Sequence, residues 1–252
     1  MPHIIAIANQ KGGVGKTTTT INLGAYLAKG KKRVLVVDLD PQGNTSSGLG
    51  IDKSALQQDL YSILIENKPL EGVIYQTPYH GLEVLPASPV LAAAEVELVG
   101  APRREFRLAE ALKNLDHDYI LIDCPPSLGL LTINGLVAAQ SVMIPVQAEF
   151  YALEGLGQLI QTIKRVKQAL NPQLELLGVL LTMHNGRTTL STQVHDEVKR
   201  HFPDKVFDTI IPRNVRLAEA PSYGKPISHY DSWSKGAKGY KQLAKEVQTR
   251  VK

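Results

Sequence analysis

Short apolar runs alternate with longer helical patterns along this chain. Six runs rich in β-branched residues are apolar at successive positions, which is typical of strands that are covered on both faces. These predicted strands span residues 3–8, 33–38, 119–123, 141–146, 174–181 and 206–211. Helical spacing of apolar residues predicts helices at 17–28, 104–115, 129–139, 153–170, 189–201 and 235–251. The pattern therefore predicts an α/β fold.

The alternation of strands and helices favours a mostly parallel twisted sheet that is flanked by helices on both faces. The 252 residues are 43% apolar and 21% charged, an ordinary globular composition that excludes a disordered or collagen-like chain. No linker, repeat or low-complexity tract divides them, so we expect one domain over residues 1–252. Residues 41–100 are the least regular part.

A glycine-rich turn joins the first predicted strand to the first predicted helix. Its candidate phosphate-binding residues are Lys11, Gly12, Gly13, Val14, Gly15, Lys16, Thr17 and Thr18. Backbone N–H groups in such a turn point at phosphate oxygens, and glycine allows the close approach. Lys16 can reach the β- and γ-phosphates, and the Thr17 hydroxyl can bind Mg²⁺. The turn predicts a nucleotide site, although Gln10 stands where the ordinary pattern has its first glycine.

Two acids end predicted strands, where open α/β sheets bind ligands. Asp40 follows the second strand, and the breakers Pro41 and Gly43 place it in a loop facing the crevice. A carboxylate there can orient an attacking water or hold a water bound to Mg²⁺. Asp123 ends a fully apolar strand, an arrangement that delivers one carboxylate towards Mg²⁺. Cys124, next to it, is interpreted as a small buried residue.

Charge is distributed unevenly along the chain. Residues 1–150 carry 12 basic and 15 acidic side chains, whereas residues 151–252 carry 16 and 9. The later part thus has a net charge of +7, which is consistent with a basic surface for a polyanion or an acidic membrane and equally with a scattered, solvated set of basic residues. The candidate nucleic-acid contacts are Arg187, Lys199, Arg200, Arg216, Lys225 and Lys235.

Four segments together resemble the ParA/Soj branch of the ParA/MinD superfamily, the P-loop ATPases with a deviant Walker A motif. They are Lys-Gly-Gly-Val-Gly-Lys-Thr at 11–17, Asp-Leu-Asp-Pro-Gln-Gly-Asn at 38–44, Asp-Cys-Pro-Pro-Ser at 123–127 and Ile-Pro-Arg-Asn-Val-Arg at 211–216. The resemblance covers nearly the whole chain. It implies a slow ATPase with ATP and Mg²⁺ as cofactors.

The resemblance also assigns roles to residues. Lys11 would cross a dimer interface to the partner's nucleotide and act in catalysis with Lys16 and Asp40. The Mg²⁺ site would comprise Thr17, Asp40 and Asp123, and Asp38 would support the loop.

By the same resemblance, Asn214 and the Pro212 backbone would contact adenine. Met183, next to a predicted strand, could pack beside the base, but packing in the core is the favoured interpretation. ATP would drive formation of a homodimer that binds double-stranded DNA without sequence preference. A ParB/Spo0J-like protein would then stimulate hydrolysis and release the DNA.

Two other functions are open to such a sequence. A MinD-like ATPase would position cell division from the membrane, to which it would bind through the last helix. The apolar stripe of this helix is short, so we expect the helix to dock on the protein's own core. An electron-transfer ATPase with a shared iron–sulfur cluster needs more cysteines than Cys124. The single cysteine and the lack of a long apolar run lead us to expect a cytoplasmic protein, with membrane binding not expected. The ParA/Soj resemblance implies that it associates with the nucleoid.

Overall fold

Seven strands form one sheet in the computed structural model, which describes residues 1–149, 155–186 and 188–251. The strands are β1 His3–Ile7, β2 Val34–Asp38, β3 Tyr75–Gln76, β4 Leu82–Leu85, β5 Tyr119–Asp123, β6 Ser141–Gln147 and β7 Glu175–Thr182. Their order across the sheet is β3-β4-β2-β5-β1-β6-β7. All neighbouring pairs are parallel except β3 with β4. The carboxyl ends of six strands therefore lie along one edge.

Eleven α-helices lie within the described residues. They are α1 Lys16–Lys29, α2 Asn44–Gly48, α3 Leu60–Leu64, α4 Ala94–Glu97, α5 Arg107–Leu112, α6 Leu130–Ala138, α7 Leu156–Ala169, α8 Thr189–His201, α9 Val215–Glu219, α10 Ile227–Tyr230 and α11 Lys235–Arg250. Short 3-10 turns occupy Lys53–Ala55, Pro89–Ala93, Leu98–Gly100 and Ala220–Tyr223.

The sheet separates two hydrophobic cores. Along β1, Ile4 and Ala6 face one core, and Ile5 and Ile7 face the other, as the two-residue period of a strand requires. Helices α3, α5, α6, α7 and α8 cover the first core, whereas α1, α9, α10 and α11 cover the second. This arrangement confirms the predicted α/β fold with helices on both faces. Burial on both sides explains why the strands are apolar at successive positions.

The last predicted helix docks on the protein's own core, as expected. Tyr240, Leu243 and Val247 of α11 are buried in the second core. The phenolic oxygen of Tyr240 also lies 3.2 Å from the hydroxyl oxygen of Thr19 on α1, a distance that joins the two helices by a hydrogen bond. Among the described residues, no helix is long and apolar enough to cross a membrane.

The prediction of a strand at 206–211 is wrong. Its ends touch the sheet through isolated parallel bridges, Val206 with Val179 and Pro212 with His184, but no continuous ladder joins them. The reason is Glu246 of α11, whose carboxylate accepts hydrogen bonds of 2.9 Å from the backbone N–H groups of Asp208 and Thr209. Phe207 and Ile211 donate to β7, so Thr209 between them would do so in a regular ladder, and its amide is diverted to Glu246.

Two strands were missed within the irregular stretch 41–100. Strand β4 has four residues, and β3 pairs with it over two. Strands of two and four residues are too short to show a recognisable alternation of apolar and polar positions. Helix α7 starts at Leu156. The predicted helix began at residue 153, and residues 153 and 154 lie outside the described residues.

Candidate functional site

The glycine-rich turn lies between β1 and α1 and has the backbone of a phosphate-binding loop. Gly13 and Gly15 have φ angles of 74° and 89°, which disfavour any residue with a Cβ. Asn9 holds the start of the turn, because its side-chain oxygen accepts from the Lys11 N–H at 3.0 Å and its amide donates to the Pro145 carbonyl at 2.7 Å. The first N–H groups of α1 open onto the same turn.

The two lysines of the turn have different surroundings. Lys16 is 7% exposed, and its amine donates to the Lys11 carbonyl at 3.2 Å. Burial lowers the pKa of Lys16, an effect opposed by the carboxylates of Asp123 and Asp40. The ammonium group of Lys11, by contrast, makes no hydrogen bond or ion pair with any residue that the structure describes. The structure therefore buries one lysine in the loop and leaves the other available.

Asp123 at the end of β5 connects the phosphate loop to the segment after β2. Its Oδ2 atom accepts hydrogen bonds of 2.7 Å from the hydroxyls of both Thr17 and Thr45. The Thr20 hydroxyl approaches Oδ1 at 3.4 Å. Burial raises the pKa of Asp123 to about 6, although these hydroxyls favour the carboxylate. One carboxylate thus touches helix α1 and helix α2 at once.

Asp38 is the last residue of β2, and Asp40 lies two residues later on the loop that follows. Their environments differ. Asp38 is fully buried opposite Asp123 in the sheet, and its Oδ2 accepts from the Ser46 N–H at 2.8 Å and from the Ser46 hydroxyl at 2.6 Å. Burial, with the neighbouring Asp123 carboxylate, raises the pKa of Asp38 to about 8. Among the described residues, the carboxylate of Asp40 accepts only a local bond, from the Gln42 N–H at 3.0 Å. Asp38 is thus placed to support the loop, and Asp40 lies on it.

The donor set fits Mg²⁺. The Thr17 hydroxyl and the carboxylates of Asp40 and Asp123 are hard oxygen ligands, which Mg²⁺ prefers. In the described part of the chain, no three His, Cys, Asp or Glu side chains group closely enough to hold a metal ion by themselves. Mg²⁺ is commonly held by one or two protein carboxylates together with substrate phosphates. Such an ion needs the oxygen donors found here and no larger cluster of acidic or histidine side chains. When bound there, Mg²⁺ neutralises charge on the phosphates.

A cavity of 350 Å³ opens beside the phosphate loop. Its lining includes Gly15, Thr18, Thr182, Met183, Pro212, Asn214 and Tyr240. The side-chain oxygen of Asn214 is buried and has no hydrogen-bond partner among the described residues. A buried acceptor without a partner costs free energy unless a ligand donates to it, and the amino group of adenine is such a donor. The apolar walls suit the faces of a base.

Met183 is part of this cavity, contrary to the expectation that it packs in the core. Its φ angle of 51° is unusual for a residue with a side chain. The hydroxyl of Thr182, just before it, donates to the Val14 carbonyl at 2.7 Å. The end of β7 is thereby tied to the phosphate loop, and the chain turns sharply beside the cavity.

The basic residues predicted to bind nucleic acid fall into two groups. Arg216, Lys225 and Lys235 lie in or between α9 and α11, which cover the second core. Lys199 and Arg200 lie at the end of α8, which packs on the first core. Arg187 lies outside the described residues. The structure thus brings three of the candidates to one face and places two on the other.

Ion pairs differ among these candidates. Arg216 contacts Glu219 at 2.9 Å and Asp231 at 3.6 Å, and Arg200 contacts Glu197 at 2.5 Å. Lys225 and Lys235 make no ion pair with the residues that the structure describes.

Several site residues were missed by the sequence interpretation. Thr45 and Ser46 follow directly after the 38–44 segment, and their hydroxyls bind Asp123 and Asp38. Thr182 and Tyr240 line the cavity. The sequence signal that could have identified Thr45 is a hydroxyl directly after an acidic loop. No local sequence pattern identifies Tyr240, because its neighbours in the cavity are distant in sequence.

Comparison with known proteins identifies the family. A family model described as an AAA domain matches residues 2–176. The chain is 58% identical over 249 residues to the sporulation initiation inhibitor protein Soj of Bacillus subtilis, with 98% of each chain covered. It is 55% identical to the chromosome-partitioning ATPase Soj of Thermus thermophilus, with 98% of this chain and 96% of the relative covered. The chain belongs to the Soj/ParA family of chromosome-partitioning ATPases.

A solved structure adds the cofactors. The chain resembles the cobyrinic acid a,c-diamide synthase of Mycobacterium smegmatis with bound ATP analog and magnesium, with a TM-score of 0.86 and 40% identity. The match covers 97% of this chain and 93% of that one. This Soj/ParA-family chain is an ATPase, and ATP and Mg²⁺ are its cofactors. The phosphate loop, the two acids and the cavity described above have the chemistry that these cofactors need.

Proposed function

We propose that this Soj/ParA-family ATPase is a switch for DNA segregation. ATP binding drives two copies into a dimer with facing nucleotide sites, and the dimer binds double-stranded DNA without reading its sequence. A ParB/Spo0J-like partner stimulates slow hydrolysis, after which the copies separate and release the DNA. The protein would then associate with the nucleoid only in its ATP state.

The observation that carries this proposal is the contrast between Lys16 and Lys11. Lys16 is buried and bonded within its own loop, so it is placed for the phosphates of its own nucleotide. Lys11 lies five residues earlier, and its ammonium has no partner among the described residues. A second positive charge at a phosphate site stabilises the transition state when it reaches the transferred group, as an arginine finger does from a partner subunit. We assign that role to Lys11 across the dimer interface.

Hydrolysis is assigned to the loop after β2. Asp40 lies on this loop, where its carboxylate can orient the attacking water. The Thr45 hydroxyl connects the same loop to Asp123, and the Thr17 hydroxyl connects Asp123 to the phosphate loop. These two hydrogen bonds link the phosphate site to helix α2, which directly follows the loop that carries Asp40. A phosphate-dependent loop of this kind is a common nucleotide switch.

For DNA, the face that carries Arg216, Lys225 and Lys235 is the better candidate. Lys225 and Lys235 can neutralise phosphates without first breaking an ion pair within the described chain, and phosphate contacts give affinity without sequence preference. Arg216 would exchange its carboxylate partners for phosphate. A dimer doubles this surface, which gives the dependence on ATP a physical cause.

The test is a titration of a labelled DNA duplex with ATP, ADP or no nucleotide. We expect binding with ATP that weakens steeply as salt is raised, because condensed counterions are released. The variant Lys225→Glu/Lys235→Glu is expected to lose binding with ATP. Lys113→Glu/Lys164→Glu, next to α5 and on α7, makes the same change in net charge on the other face and serves as the matched control. Equal affinity with ADP and ATP would contradict the proposed cycle.

A further inference from the structure

Two adjoining cavities lie at the far end of α1 from the phosphate loop. The first, here called the α1–α11 groove, has a volume of 560 Å³. Its walls include Tyr26, Lys29, Trp233, Lys241, Lys245 and Gln248. The second has the same volume and includes Lys29, Lys31, Lys32, Arg33, Tyr79 and His229. Lys29 lines both, so the two form one continuous basic surface.

This surface has an excess of uncompensated positive charge. No Asp or Glu of the described chain lines either cavity. Lys32 and Arg33 have distant or exposed carboxylate partners, Asp118 at 3.7 Å and Asp116 at 2.9 Å. The side-chain ammonium groups of four other lysines make no hydrogen bond or ion pair with the described residues: Lys29, Lys31, Lys241 and Lys245. Cations gathered in concave surfaces attract an anionic ligand.

An aromatic ring stands at one end of the α1–α11 groove. Trp233 is 85% exposed, and it is the one tryptophan of the chain. Its backbone N–H donates to the Asp231 carboxylate at 3.2 Å, which fixes the turn before α11 while the ring remains in solvent. Exposed tryptophan next to a charged groove is a typical anchor for a protein partner, because it buries a large area at low entropic cost.

We propose that the α1–α11 groove binds an extended acidic peptide segment of a partner protein, with one apolar residue of that segment packed on Trp233. The lysines stand on opposite walls, Lys29 on α1 and both Lys241 and Lys245 on α11. An extended peptide directs successive side chains to opposite sides, so consecutive acidic residues place carboxylates on both walls.

Nucleic acids fit this geometry less well. A single strand needs successive aromatic platforms for its bases, and the groove presents one fully exposed ring. A duplex has a convex surface, whereas the groove lies between two packed helices whose axes are about 8–10 Å apart. The occupant that matches both charge and shape is the acidic peptide.

Peptide binding does not require nucleotide. The 14 residues of α1 separate Lys16 from Lys29, a helix length of about 20 Å. The groove contains none of the residues assigned to ATP or Mg²⁺. The proposal therefore stands apart from the proposed switch, and each can fail without the other.

The fluorescence of Trp233 tests the proposal directly, since no other tryptophan contributes to it. The probe is a synthetic peptide of about ten residues, long enough to span both cavities when extended, made of consecutive Glu residues with one central Leu so that its carboxylates point to both walls. We expect a saturable spectral shift with a Kd below about 100 μM at low salt. The same peptide with Gln in place of Glu is expected to bind at least about tenfold more weakly.

Variants locate the site. Lys241→Glu/Lys245→Glu is expected to weaken binding of the acidic peptide about tenfold or more. Lys113→Glu/Lys164→Glu is the matched control, because Lys113 directly follows α5 and Lys164 lies on α7, both on the opposite face. The proposal is overturned if the Gln peptide binds equally well, or if the charge reversal on α11 has no effect. It is also overturned if an oligothymidylate of about ten nucleotides or a duplex displaces the peptide at lower concentration. Circular dichroism checks the fold of each variant. If a variant unfolds, the affinities of the unchanged protein for the Glu and Gln peptides still test the proposal.

Discussion

The hydroxyl of Thr45 donates a 2.7 Å hydrogen bond to Oδ2 of Asp123, the same atom that accepts from Thr17. Thr45 is fully buried, so this bond has no water to replace it. Its position makes helix α2 sensitive to whatever happens at the phosphate loop. Three residues from three separate segments thus meet at a single oxygen atom.

Removing the Thr45 hydroxyl should uncouple hydrolysis from nucleotide binding. We expect Thr45→Val to lower kcat by about tenfold, the effect of one hydrogen bond to a charged group, while ATP affinity changes little. Thr45→Ser keeps the hydroxyl and should restore the rate. Steady-state ATPase kinetics and calorimetric ATP titration measure the two quantities. Parallel loss of affinity and rate in the valine variant would argue for a merely structural role.

The two lysines of the phosphate loop should separate nucleotide binding from dimerisation. Lys16→Ala is expected to abolish ATP binding, because it removes the buried charge from the loop. Lys11→Ala is expected to keep ATP binding and lose the ATP-dependent dimer. Calorimetry and size-exclusion chromatography with light scattering distinguish these outcomes. An intact ATP-dependent dimer in Lys11→Ala would refute the role in trans.

Asp40→Ala should leave a dimer trapped with ATP. The variant loses the carboxylate that orients the attacking water but keeps Lys11, Lys16 and Thr17, so binding and dimerisation remain. Size-exclusion chromatography after prolonged incubation with ATP and Mg²⁺ should show a persistent dimer, whereas the unchanged protein returns to monomer. A variant that stays monomeric with ATP would rule out this role for Asp40.

Asn214 should decide between adenine and guanine. Its buried side-chain oxygen has no partner in the described chain and can accept from the adenine amino group. We expect Asn214→Ala to weaken ATP binding by about tenfold, the cost of one buried hydrogen bond, and to weaken GTP binding much less. Competition of both nucleotides against a fluorescent ATP analogue measures the ratio. An unchanged ratio would place the base elsewhere.

His3 should make the fold sensitive to mild acid. Burial lowers the pKa of His3 from its ordinary value, and its Nε2 lies 3.0 Å from the Ser141 hydroxyl oxygen on the adjacent strand β6. The unfolded chain then binds a proton more readily than the folded one, so the free energy of unfolding falls as pH drops below about 6.5. In His3→Gln this loss should be smaller. Urea denaturation at several pH values, with His201→Gln at the end of α8 as control, measures the difference.

Sequence alone located the parts of the site that depend on local pattern. The glycines at 13 and 15 mark a turn whose φ angles only glycine adopts easily, and Asp40 and Asp123 end apolar strands, so their common edge could be predicted. The bond from Thr45 to Asp123 could not, because it joins residues 78 positions apart.

The fold shows the same limit. The run 206–211 has the composition of a strand, but Glu246, 37 and 38 residues away, takes two of its amides. The division of the basic residues between two faces likewise depends on which core each helix covers. Long-range packing, rather than local propensity, decides such features.

The segment 206–212 also determines how the sheet ends. Strand β7 is the last in the order, and an uncovered edge strand offers its amides and carbonyls to any other chain. Here the Phe207 and Ile211 N–H groups bond to Val179 and Leu181, and Glu246 occupies the amides between them. This border of the molecule is therefore protected against strand-to-strand aggregation along β7.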